Sequence, residues 1–229
     1  FKIKMQYLVH KADQRGTANF GWLKSYHSFS FGSYYNPNNM QFGALRVLND
    51  DWVEPGAGFP KHGHRDMEIV SIPLSGDLKH QDSTGTAEVI RSGDVQVMSA
   101  GRGIEHSEFN ASDTAAVAFL QIWVLPREKG VQPRYQQLTL PQPFPQNNWV
   151  QVVSPNLEDD GVYVHQDAWF SMAHISDGTP IDYVLKAPET HGVYFFVIEG
   201  ALEAGGVRLD RRDALGVWEV PMIHLEAKS

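Results

Sequence analysis

The sequence predicts an all-β protein of two tandem β-barrels with few short helices, on three observations. Twenty glycines and thirteen prolines break 229 residues into many short apolar runs bounded by turn-forming residues. No long stretch holds a 3.6-residue apolar period, so helices should be few and short. The two halves also repeat one another loosely. Residues 67–76 (MEIVSIPLSG) and 194–200 (YFFVIEG) are both apolar runs ending in a glycine turn, and Ser92-Gly93-Asp94 and Leu209-Asp210-Arg211-Arg212-Asp213 each lead into a further strand.

Strands are expected, in order, over 44–47, 67–73, 95–99, 116–124, 150–153, 193–198 and 214–218. Each is rich in Val, Ile, Phe or Trp and is bounded by Gly, Pro, Asn or Asp. Between Leu125 and Asn148 the composition changes. Pro126-Arg127-Glu128-Lys129-Gly130 reads as an exposed turn, and Pro133, Pro141, Pro143 and Pro145 follow among glutamines. Such a stretch is unsuited to a central strand and reads as an extended, partly polyproline-like linker. It divides the chain into an N-terminal barrel, 1–130, and a C-terminal barrel, 131–229. Phe29, Phe31, Tyr34 and Tyr35 are expected to bury the N-terminal arm against the first barrel. Trp149, Trp169 and Trp218 read as core or interdomain packing.

Apolar residues at 42% allow a substantial core. The 27 acidic residues outnumber 19 basic ones, giving a net charge of −8. That excess argues against a nucleic-acid backbone as the main partner, and no direct nucleic-acid binding is expected. The absence of cysteine excludes disulfides, thiolate nucleophiles and Cys-ligated zinc or iron–sulfur sites. No apolar run approaches the ~18 residues of a membrane span, and Lys2, Lys4 and Gln6 interrupt the first one. A soluble cytoplasmic monomer with no membrane partner is expected.

The chemistry concentrates in two short motifs, His62-x-His64 and His106-x-Glu108. On a strand, residues i and i+2 point to the same face, so each motif aims two donors at one point. If the two segments pair inside one barrel, three nitrogens and one oxygen converge. Such a set suits a divalent first-row cation and leaves coordination positions open for reactants. A lone His-x-His is more often a surface coincidence than a site; the glycine frame around these two decides the reading.

That frame is Gly56, five residues, His62-x-His64, three residues, Glu68, then Gly76; and Gly93 through Gly103, two residues, His106, three residues, Asn110. It resembles the two motifs of the cupin superfamily. Gly76 falls one residue later than the general pattern, and Ser99 stands where a proline is usual. Both departures, with Met98-Ser99-Ala100-Gly101-Arg102-Gly103-Ile104-Glu105-His106-Ser107-Glu108, look like the pirin branch. Phe29-Ser30-Phe31-Gly32, Leu45-Arg46-Val47, His80-Gln81-Asp82-Ser83, Gln121-Ile122-Trp123-Val124-Leu125-Pro126 and Ser154-Pro155 are pirin-like too. The resemblance covers about residues 5–229. It implies that Met5 is the natural initiator and that one more apolar strand normally follows Lys228, so a clipped tail is expected.

The resemblance implies a bicupin in which His62, His64, His106 and Glu108 hold one divalent metal. Iron(II) is the usual ion, with zinc, manganese, nickel or copper as alternatives. Glu68 matches a ligand of other cupins but not of pirins, and is read as orienting a histidine. His80 is read as an ordinary polar residue of the hairpin at Asp82–Gly85. His165, His174, His191 and His224 form no motif, so the C-terminal barrel is expected to be metal-free. Phe59 and Met67 are expected to line a pocket. The implied activity is quercetin 2,3-dioxygenase-like: a small aromatic substrate and O2 meet at the metal, with Glu108 as the catalytic base for the 3-hydroxyl. The competing expectation is a non-catalytic, iron-containing regulatory or redox-sensing protein that acts through a protein partner.

Overall fold

The computed structural model describes residues 5–228. The protein is all-β, and a single 3-10 turn, Ala12–Gln14, is the helical element among the described residues. No helix of the described residues is long and apolar enough to cross a membrane. The seven expected strands appear as Leu45–Val53, Glu68–Ser75, Asp94–Ser99, Val117–Val124, Val150–Ser154, Val193–Phe196 and Ala214–Trp218.

Contacts divide the chain into two compact units that differ from the expected 1–130 and 131–229. One comprises Gly16–Pro141 with Gln151–Ser171; the other holds the described residues up to Arg15, Gln142–Val150 and those from Met172 onward. Two pairings explain the difference. Gln6–His10 lies antiparallel to Ala214–Trp218, so the first described strand completes a sheet of the C-terminal unit. The expected linker contributes Arg134–Thr139, which pairs with Asp94–Ser99 in the N-terminal unit. That strand is a sheet edge flanked by Pro133 and Pro141, where proline is tolerated.

In the C-terminal unit, Gln6–His10, Ala214–Trp218 and Val193–Phe196 form one sheet. Pro180–Val184, Met222–Lys228, Ala201–Ala204 and Val207–Leu209 form another. Phe195, Leu215 and Val217 of the first meet Leu209, Ile223 and Leu225 of the second in one buried cluster. Trp149 packs edge-on against Tyr183 and donates its indole N–H to the Asp182 carbonyl at 2.8 Å. Asp213 clamps the first strand's exit, accepting from Lys11 Nζ and, at 2.8 Å, from the Ala12 N–H.

The N-terminal unit pairs a seven-stranded sheet with a four-stranded one. The larger runs Arg134–Thr139, Asp94–Ser99, Glu68–Ser75, Val117–Val124, Leu45–Val53, Leu23–His27, Gly16–Asn19. The smaller runs Gly58–His64, Ile104–Asn110, Leu78–Asp82, Ala87–Ile90. Cross-strand register stacks the interior in layers. Met98, Ile69 and Trp123 stand side by side, with Ile104 of the small sheet joining them in an apolar cluster. Two residues further along each strand comes a polar row: Gln137, Gln96, Ser71, Gln121, Asn49, His27. The far end is closed by Leu23, Val53, Val117 and Phe119 against Leu78 and Ile90. Of the Phe29–Tyr35 cluster, Phe29 is buried. Phe31 packs edge-on against Trp123, Tyr34 fills the space over Gly16, and Tyr35 is exposed.

Two predictions follow from this packing. A Cβ on Gly58 would stand 2.4 Å from the carbonyl oxygen of Glu108 and the Cα of Phe109, both backbone atoms. Gly58→Ala should therefore cost about 1–3 kcal/mol, as overpacking does, read as a lower denaturant midpoint. Asp51 is buried beside Ser25, which donates to it, and burial pushes its carboxyl up to about 7. The fold thus favours protonated Asp51 over the unfolded chain, and its contribution to stability is lost as pH rises from about 4 through 7. Asp51→Asn should become more stable relative to wild type over that range, by up to about 4 kcal/mol. A constant difference in unfolding free energy between pH 5 and 8 would contradict this.

Candidate metal centre

Three adjacent strands of the small sheet carry the polar side chains that meet inside the N-terminal unit. Ile104–Asn110 is central, with His106 opposite His62 on one neighbour and opposite Asp82 on the other. The register shifts between His106 and Glu108, which faces Phe59 on one side and His80 on the other. The extra residue lies in the Gly58–His64 strand near Pro60, whose missing N–H makes it a natural bulge site. Pro60 also serves the site directly, since its carbonyl accepts from His62 Nδ1 at 2.7 Å. That bond leaves the His62 Nε2 lone pair facing inward.

His62, His64 and His106 each offer a ring nitrogen within 4.8 Å of the others. The Nε2 atoms of His62 and His106 are 3.1 Å apart. Two imidazole nitrogens at right angles on one cation, each about 2.1 Å from it, would stand about 3.0 Å apart. His64 Nε2 is buried without a hydrogen-bond partner, and its ring is edge-on to Trp123. Burial, with the neighbouring imidazoles, lowers the His64 pKa to about 4 and that of His106 to about 3. Both rings are therefore neutral near pH 7, the state in which imidazole offers a lone pair. These donors fit a cation with N and O ligands.

Glu108 is 2% exposed and its carboxyl is pushed up to about 7 by burial, opposed by the Ser71 hydrogen bond. Ser71 Oγ donates to Oε1 at 3.1 Å and Gln121 Nε2 to Oε2 at 3.0 Å. Both donors come from the polar row of the large sheet. A carboxylate oxygen of Glu108 lies within 4.8 Å of ring nitrogens of His80 and His106.

Several sequence expectations need correction. His80 is not an ordinary polar turn residue: it lies within Leu78–Asp82, is 1% exposed, and packs beside the rings of His106 and Tyr135. The turn itself is made by Asp82, which caps Thr84 and accepts the Gly85 N–H. Glu68 orients no imidazole of the cluster, and its hydrogen bond with His165 is to the backbone. Three residues from Ser71, it faces the other side of its sheet, where it accepts from Ser99 Oγ at 2.7 Å and from the His165 N–H at 3.2 Å. His165 accordingly belongs to the N-terminal unit. A cleft of about 370 Å³ is lined by Gly63, His64, Arg65, Ser83, Gly103, Ile104 and Glu105. Phe59 packs instead toward the closed end, on Trp22, and Met67 against the apolar cluster around Ile69.

Comparison with known proteins matches this arrangement to relatives. Residues 9–124 match the family described as Pirin, and residues 151–229 the quercetinase C-terminal cupin domain. A quercetin 2,3-dioxygenase of Escherichia coli is 43% identical over 223 residues, covering 96% of this chain and 94% of that protein. A pirin-like protein of Caulobacter vibrioides is 39% identical, covering 94% of this chain and 92% of its own. Among solved structures, a bacterial pirin of Escherichia coli in complex with nickel(II) superimposes with a TM-score of 0.91 at 40% identity, covering 98% and 95% of the two chains. The chain is a two-cupin protein and belongs to the pirin family.

Proposed function

We propose that this chain is a metal-dependent dioxygenase in which His62, His64, His106 and Glu108 hold one divalent cation, iron(II) foremost, and that it cleaves a flavonol such as quercetin with O2. The observation that carries this reading is the convergence of three imidazoles inside a barrel whose relatives are named quercetin 2,3-dioxygenases. The nickel complex of the Escherichia coli pirin supports a cation of this class. When bound, such a cation supplies a Lewis acid and a redox centre.

The chain's own residues do the rest. The Pro60 carbonyl fixes the His62 tautomer, and Trp123 braces the His64 ring. Glu108 takes the proton of the substrate's 3-hydroxyl on a carboxylate oxygen. Burial raises the pKa of this carboxyl and so strengthens the carboxylate as a base, while a bound cation would draw it back down. Ser71 and Gln121 keep that carboxylate from turning away.

The test is loss of flavonol absorbance under air with protein reloaded with Fe(II), Mn(II), Ni(II) or Cu(II). Glu108→Gln should lower turnover by about 10²–10⁴-fold, and His64→Ala should lower metal content. Metal-replete protein that consumes neither flavonol nor O2 would overturn the reading. Chelation should leave a folded barrel, because the apolar layers at both ends of the interior contain no ligand. A cooperative loss of far-UV circular dichroism on adding chelator would contradict this.

A further inference from the structure

His80 has the hydrogen-bonding pattern of a ligating imidazole. Its Nε2 is 2.8 Å from Asp82 Oδ2. An ionised carboxylate only accepts, so Nε2 carries the proton and, in a neutral ring, Nδ1 carries the lone pair. That Nδ1 is buried and has no hydrogen-bond partner. Asp82 is itself held, its Oδ1 taking the N–H and O–H of Thr84 at 2.8 and 2.6 Å. A histidine whose second nitrogen is fixed by an anchored carboxylate is the usual support for a metal ligand. A bare, buried acceptor is otherwise a cost of about 1–3 kcal/mol.

The surroundings complete the set. His80, His106 and Glu108 each offer one donor atom within 4.8 Å of the others, and all three are buried. The other trio, His62, His64 and His106, meets the same bound with two of its members only partly buried. The two trios share His106. Glu108, expected with the outer imidazoles, lies close to His80 as well.

We propose that His80 is a fifth metal-ligating side chain, defining with His106 and Glu108 an inner station for a divalent first-row cation, alternative to the outer position where His62 and His64 join the same two residues. Every side chain of the inner station is buried; the outer one borders the cleft at His64. This rests on reading the cluster as a metal centre, and the test separates the two ideas without using turnover.

The probe is Cu(II) alone, which binds mixed nitrogen and oxygen sites tightly, added to the full chain. Affinity is read by chelator competition and coordinated imidazoles by pulsed electron paramagnetic resonance. A variant with His62→Ala and His64→Ala removes the outer trio at partly exposed positions. It should still bind one Cu(II), with two imidazole couplings. Adding His80→Gln, or His80→Asn where Gln does not fold, should weaken that binding at least tenfold and leave one coupling. Wild-type protein that binds no divalent cation would sink the metal-centre reading and the inner station together. Wild type that binds while the double variant does not would overturn the inner station alone, as would a triple variant that binds as well as the double.

Discussion

The candidate centre depends on one strand register. Ile104–Asn110 sits between Gly58–His64 and Leu78–Asp82, and only with His106 opposite both His62 and Asp82 do the imidazoles face one another. Side chains alternate along a strand, so a slip of one residue would turn His106 and Glu108 outward and bring Glu105 and Ser107 in. The donors do not fix this register themselves. Ile104, at one end, is locked into the apolar cluster with Ile69 and Met98. Asn110, at the other, donates from its amide to the carbonyls of Val53, Glu54 and Ala115 at 3.2, 3.1 and 2.8 Å. Groups that take no part in the chemistry hold those that would.

The same layering explains why a polar row can persist in the middle of a barrel. Ser71 and Gln121 are satisfied by Glu108, whereas both ends of the Gln96 amide and Asn49 Oδ1 are buried without partners. Unpaired groups of this kind destabilise a fold by about 1–3 kcal/mol each. The apolar layers on either side offset that cost, including Phe119 and Val117 at the closed end and Met98 and Ile69 toward the other. Burial of the donors is also what keeps His64 and His106 neutral and raises the Glu108 carboxyl, so packing and electrostatics have one cause.

The outer imidazoles were legible in the sequence because i and i+2 spacing is visible in a string, and the glycines around it mark the turns. His80 was not. Its neighbours Asp82 and Gly85 are turn formers, and nothing local shows that the strand ends two residues after His80 or that its partner across the ladder is Glu108. Arg134–Thr139 was hidden for a related reason: prolines flank it, and its strand character comes from the Asp94–Ser99 edge it completes rather than from its own propensity. Glu68 shows the limit of motif spacing. Its distance from His64 in sequence matches a ligand position, but strand alternation sends it to the opposite face from Ser71.

The pairing of Gln6–His10 with Ala214–Trp218 has a consequence for biogenesis. Gln6–His10 must wait for a strand made some two hundred residues later before its hydrogen bonds can close. The metal-type donors all lie between residues 62 and 108, in a unit whose strands are complete long before that. Vectorial synthesis therefore favours maturation of the chemically equipped barrel first, while Gln6–His10 remains unpaired, needing protection from stray edge-to-edge association until the ribosome delivers its partner.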